Sequence, residues 1–145
     1  MICVASFIHQ RWIRPGMGRH VAAPSVAPRD GFLALVDFDH SAVECARPLD
    51  SPAGFAWNAE DTLLYVASMF SDRLLVLDRN LTIIRSMADP SMNDLHWISF
   101  SRDRILACCS GVDSLVEYDC DGRAVWSWNA TEHGYGTLQD VRVPR

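Results

Sequence analysis

The sequence predicts an all-β chain of short antiparallel strands. Three observations carry that reading. Runs rich in β-branched, aromatic and aliphatic residues recur along the 145 residues, each bounded by turn residues. These runs repeat at a spacing of 41 to 43 positions. No stretch reads as a helix of normal length.

The repeat is visible element by element. Leu74-Leu75-Val76-Leu77-Asp78 lies 41 positions before Leu115-Val116-Glu117-Tyr118-Asp119, and Asp72 falls on Asp113. One period earlier, Leu33-Ala34-Leu35-Val36 precedes Asp37. Ala42-Val43, Ile83-Ile84 and Ala124-Val125 occupy equivalent places. Leu63-Leu64-Tyr65-Val66-Ala67-Ser68 matches Ile105-Leu106-Ala107-Cys108-Cys109-Ser110 at an offset of 42, and Ile2 to Ser6 has the same form. Phe55-Ala56-Trp57, Ile98-Ser99-Phe100 and Val141-Arg142-Val143 repeat at about 43. Asp121-Gly122 marks a tight turn between two strands. Each unit therefore holds four strands: a (Phe55 type), b (Tyr65 type), c (Leu75 type) and d (Ile84 type).

Four short antiparallel strands per 42 or so residues is the signature of a β-propeller blade. A β-sandwich also has many short strands but gives no reason for such a self-match. The chain starts on a b strand and ends on an a strand. That makes three blade equivalents in one partial propeller, with units of about 1–57, 58–100 and 101–143 and a long loop insertion at 7–32. Closed propellers have four to eight blades. Two accounts stay open: missing blades belong to a longer chain, or two copies associate as a homodimer and close a six-bladed ring.

Composition bounds the function. Apolar residues make up 49% and charged residues 21%, which fits a folded soluble chain. The net charge of -5 argues against nucleic acid or an anionic membrane as partner. The basic residues are all Arg, which excludes only chemistry that needs a Lys. No apolar run is long enough to cross a membrane as a helix, and Met1 to Trp12 lacks the form of a signal peptide. The cysteines Cys3, Cys45, Cys108, Cys109 and Cys120 are odd in number and show no zinc spacing. They read as small buried residues of a reducing compartment, so the expected location is cytoplasmic. No motif implies a cofactor, a phosphate-binding loop or a Ser elbow.

Leu64-Tyr65-Val66-Ala67-Ser68 followed by Asp72 to Asp78 resembles the repeat of YVTN and NHL-type propellers. Asp119-Cys120-Asp121-Gly122-Arg123-Ala124-Val125-Trp126-Ser127-Trp128 is similar to the blade ending of arylsulfotransferase-like propellers. The resemblance covers about residues 31 to 143. It implies a propeller and no single activity, since such repeats serve binding scaffolds, lyases, hydrolases and sulfotransferases. It also implies that ligand and catalytic groups gather around the central channel, on the face shared by the d-to-a and b-to-c loops.

The candidate residues follow from that face. His96, in Asn93-Asp94-Leu95-His96-Trp97, sits where an innermost a strand begins. Its repeat equivalents are Ala53 and Gln139, so the repeat does not demand a histidine there. It reads either as a general base, nucleophile or ligand in the channel, or as a histidine bonded to a neighbouring blade. Glu132-His133-Gly134-Tyr135-Gly136 is either a proton-transfer loop or a glycine turn. Asp94 and Asp140 could join a histidine at a metal, though no local motif supports one. The long first b-to-c connection adds Trp12 and His20. Asp72, Asp78, Asp113 and Asp119 recur with the repeat and are expected to cap turns. Trp57, Trp126 and Trp128 are expected to pack between blades.

Two functional readings result. One is a non-catalytic propeller module that presents its loop face to a small molecule or a protein, with Asn93, Asp94, Glu132, Tyr135, Trp12 and His20 as contacts. The other is a segment of a propeller enzyme, a lyase, lactone hydrolase or arylsulfotransferase-like protein. It would use His96 with help from His133 or Arg102.

Overall fold

The computed structural model describes residues 2–8, 31–69 and 71–135. The segment Leu64–Ser68 shows why these runs become strands. All five residues are buried, and alternate side chains enter different cores. Leu64 and Val66 pack toward residues of the first sheet, Tyr65 and Ala67 toward the third. A strand apolar on both faces is stable only between two other layers.

Among the described residues, eleven strands form three antiparallel sheets. The first contains β1 (Ile2–Ile8), β2 (Gly31–Asp37) and β3 (Ala42–Leu49) in that order. The second contains β4 (Pro52–Trp57), β5 (Leu64–Ser68), β6 (Arg73–Leu77) and β7 (Ile83–Met87). The third contains β8 (Leu95–Ser101), β9 (Arg104–Cys109), β10 (Ser114–Asp119) and β11 (Ala124–Asn129). The second and third sheets run a-b-c-d, as the repeat predicts. The first sheet shows b-c-d, and the expected final a strand around Val141 lies outside the described residues. Two single 3-10 turns, Ser110–Val112 and Thr131–His133, are the helical pieces among the described residues.

Pairing corrects one alignment. Val66 lies opposite Leu75, and Ala107 lies opposite Val116. Strand b therefore repeats at 41, like strand c, not at 42. Tyr65 corresponds to Leu106 and Val66 to Ala107. A one-residue shift exchanges the two faces of a strand, so this correction decides which side chains meet the neighbouring sheet.

Each c-d pair carries a bulge at the same place, between Leu35 and Val36, Val76 and Leu77, and Glu117 and Tyr118. Asp37, Asp78 and Asp119 follow it and cap the c-to-d turns. Asp78 Oδ1 accepts the N–H groups of Asn80 and Thr82, and Asp119 Oδ1 those of Asp121 and Arg123. The expected capping role thus holds for this pair of aspartates.

Two apolar cores separate the sheets. Leu33 and Leu49 meet Leu64, Val66, Leu75, Leu77 and Leu81 between the first and second sheets. Tyr65, Leu74, Val76 and Met87 meet Leu95, Ile98, Ile105, Val116 and Tyr118 between the second and third. The sheets converge at their first strands, where β4 lies against β8. A Cβ built on Gly54 would come within 2.8 Å of Trp97 Cα and 2.9 Å of the His96 carbonyl oxygen. Glycine is what permits the two inner strands to approach so closely.

Candidate functional site around Asp94 and His96

Asp94 has a left-handed backbone (φ 50°), a conformation Asp tolerates better than most residues. Its repeat equivalent, 43 positions earlier, is Ser51, also left-handed at φ 41°. Both carbonyls accept a backbone N–H from the neighbouring b-to-c loop, Ser51 from Met69 and Asp94 from Ser110. This bridge between the two loops is therefore part of the repeat. The carboxylate is the addition of the third sheet.

Each oxygen of that carboxylate has a side-chain partner. Oδ2 accepts the Ser110 hydroxyl at 2.8 Å, and Oδ1 lies 3.3 Å from Nε2 of His96. The Asp94 N–H is donated to Oδ1 of Asp72 at 2.8 Å. Asp72 thus acts across the joint between sheets. That bond goes beyond the turn cap expected of Asp72 from sequence.

His96 owes its position to a bulge. Leu95 lies opposite Cys109 and Trp97 opposite Cys108, so His96 is the extra residue. Bulges re-aim side chains, and this one keeps His96 half-exposed beside Asp94 at the start of an inner strand. A matching irregularity lies between Pro52 and Phe55 of β4. Asn93 is close by, since its carbonyl accepts the Gly111 N–H.

His133, Glu132 and Tyr135 lie elsewhere on the same face. Asn129 Oδ1 accepts the N–H groups of Thr131 and Glu132 and so builds the 3-10 turn. Gly134 closes it at φ 81°. The turn lays the His133 ring flat on Trp128, with centroids 5.1 Å apart and planes within 7°. Tyr135 leans on Trp128 with centroids 6.0 Å apart and is 71% exposed. Trp128, expected to pack between blades, carries this aromatic shelf.

The structure does not bring the three proposed catalytic residues together. β8 and β11 are opposite edges of one sheet, three strand spacings or about 14 Å apart, and His96 and His133 lie at their ends. Arg102 lies in the β8–β9 turn, at the other end of the sheet from His96 and about 20 Å along the strand. That separation removes the proposed help of Arg102 at His96, because the turn belongs to the opposite face. Trp12, His20 and Asp140 lie outside the described residues. No group of three His, Cys, Asp or Glu side chains able to hold a metal occurs among the described residues.

Ser110 was missed as a site residue: in the corrected register it takes the place of Met69, so the repeat offers no hydroxyl there to draw attention to it. The strongest electrostatic shifts also lie away from His96. Tyr118 is buried between the second and third sheets, and burial pushes its hydroxyl pKa well up, despite a hydrogen bond to Ser91 Oγ at 2.9 Å. Burial likewise pushes Tyr65 up to about 12 and raises Cys109.

A shallow concavity of about 310 Å³ opens on the outer face of the third sheet, lined by Ser99, Ser101, Arg104, Leu106, Glu117 and Trp126. No helix among the described residues is long and apolar enough to cross a membrane.

No family model and no curated protein matches the sequence. The fold is similar to several solved structures. Hydrazine synthase of Kuenenia stuttgartiensis is 20% identical with a TM-score of 0.58, over 66% of this chain and 29% of that one. BamB from Moraxella catarrhalis is 16% identical with a TM-score of 0.53, over 71% and 31%. A catalytically inactive virginiamycin B lyase from Staphylococcus aureus is 10% identical with a TM-score of 0.56, over 68% and 34%. The chain thus spans about a third of the length of each. BamB and the lyase are propeller-type proteins. Likeness at this level, together with three sheets converging on their first strands, makes the chain a partial β-propeller.

Proposed function

We propose that the chain is a binding module of the propeller class, with the d-to-a and b-to-c loop face as its contact surface. The observation that supports this most is the order of the polar contacts at Asp94. A nucleophilic relay needs the imidazole between hydroxyl and carboxylate. Here the carboxylate stands between Ser110 and His96, so the hydroxyl is not activated by the ring. Asp94 instead fixes His96 as an oriented polar contact. The shelf of Trp128, His133 and Tyr135 beside Glu132 suits an aromatic or cationic group on a small molecule or a protein segment. Five free thiols fit a reducing compartment, the cytoplasm.

The similar structures include an enzyme of hydrazine synthesis and a lyase by name, so turnover is the reading to test against. The chain and its His96→Ala variant are incubated with p-nitrophenyl sulfate and γ-butyrolactone. Equal, background rates are expected. A rate present in the parent and lost in a folded His96→Ala protein overturns the binding reading. Binding is read by tryptophan fluorescence titrated with phenethylamine, an aromatic cation. A saturable change weakened several-fold by Tyr135→Ala is expected, and an unaltered titration removes the shelf from the proposed surface.

A further inference from the structure

Side-chain links that join one sheet to the next recur in this molecule. Pairing places Cys45, Arg85 and Trp126 at one repeat position, opposite Leu35, Val76 and Glu117. From that position Cys45 donates its thiol to the Asn80 carbonyl in the c-to-d turn of the second sheet. Arg85 donates to the Cys120 carbonyl in the same turn of the third sheet and pairs with Asp121 at 3.4 Å. At this repeat position each of the first two sheets therefore clasps the next by its c-to-d turn.

Trp126 holds the third such position, and it is 50% exposed. The turn it would clasp is also identifiable. Residues 79–80 and 120–121 correspond, one and two 41-residue periods earlier, to Phe38 and Asp39 in the c-to-d turn of the first sheet. Phe38 is 60% exposed. Two exposed aromatic rings thus stand at the two halves of one recurring joint, at opposite ends of the chain. The flanking surfaces agree. The outer face of the third sheet presents Trp97, Leu106, Cys108 and Leu115 by strand alternation, and the second sheet uses the same positions to cover the third. The outer face of the first sheet presents Val36, Val43 and Pro48.

We propose that a second copy of this chain occupies these faces, head to tail, with Trp126 of one copy on Phe38 of the other. Each contact is heterologous, and two copies related by a two-fold axis make it twice and close a ring. The ring holds six blades, within the range of closed propellers. It completes a channel of which this chain supplies the wall formed by β4 and β8, where His96 sits. Aromatic pairing of this kind adds to area burial and is common where exposed rings meet.

The test is molar mass by light scattering, on the chain, Trp126→Glu, Phe38→Glu and an equimolar mixture of the two variants. Both substitutions are at exposed positions, and circular dichroism checks that each protein remains folded. The parent is expected at twice 16.2 kDa, and each variant alone at half that mass. The mixture should regain the double mass, because each variant keeps the half-joint that the other lacks. A parent that stays at 16.2 kDa at micromolar concentration overturns the proposal. So does a pair that one substitution abolishes and the other leaves intact, since that marks contact between identical faces.

Discussion

Asp72 Oδ1 accepts the backbone N–H of Asp94 at 2.8 Å. A side chain in the β5–β6 loop of the second sheet thereby holds the loop that leads into the third. The bond spans 22 residues and lies directly behind the carboxylate that orients His96. Asp72→Ala should remove the acceptor and leave alanine at φ 50°, with a combined loss of about 2 kcal/mol. Asp72→Asn keeps an oxygen acceptor and tolerates the left-handed backbone, so it should lose less than half as much. Urea unfolding of the two variants measures the difference, and equal losses contradict the inter-sheet role.

Gly54 and Gly111 form a second comparison. A methyl group at position 54 meets the backbone of β8, which cannot swing aside. At position 111 it meets the Oδ1 atom of Asn93, the tip of a flexible side chain. Gly54→Ala should therefore destabilise by about 1–3 kcal/mol, the range for overpacking, and Gly111→Ala by clearly less. Thermal unfolding followed by circular dichroism ranks the two.

Alkaline pH should probe the joint between the second and third sheets. Burial raises the folded-state pKa of Tyr118 above its ordinary value of 10.0, and that of Tyr65 to about 12. A neutral tyrosine favoured by the fold contributes fully below pH 10 and loses that contribution as pH rises toward the folded value. Stability should fall above pH 10 by up to about 1.4 kcal/mol per pH unit for each of them. Tyr118→Phe should be less stable at neutral pH, having lost the bond to Ser91, yet show a shallower alkaline decline. Urea midpoints measured across pH 8 to 11 check both signs.

Acid acts at the other end of the sheets. The N–H groups of Arg123 and Asp121 hold the Asp119 carboxyl below its ordinary value of 3.8. Its contribution is present above that value and is lost as pH falls through the lowered one. Amide exchange at Asp121 and Arg123 should stay slow to below pH 4 and then accelerate, before the core amides of β9 and β10 respond. Asp119→Ala should expose the same two amides at every pH.

The strand repeat was legible in sequence because each unit is short, apolar and bounded by turn residues. The register of strand b was not. Leu64-Tyr65-Val66-Ala67 and Leu106-Ala107-Cys108-Cys109 are apolar at every position, so neither shows the alternation that separates an inner face from an outer one. His96 and Asp94 stood out by residue type. Their pairing depends on a bulge, which is defined only against the partner strand. Arg102 stood near His96 in sequence, but a seven-residue strand carries it to the opposite end of the sheet. Asp72 looked like a turn cap because its bond partner lies in another sheet.

β5 has an apolar neighbour on each side, and the second sheet is the one flanked by both cores. In a linear array, stability is roughly the sum of what each repeat contributes and what each nearest-neighbour joint adds. Within a single copy, before a second copy joins it, the second sheet takes part in both joints, so it cannot open without releasing two others, whereas an end sheet releases one. In that single copy loss of structure should therefore spread inward from the ends, with β5 and β6 the last to exchange their amide protons. A site mounted on the third sheet is thus held on the lower-barrier side of the molecule, where a bound ligand adds most to local order.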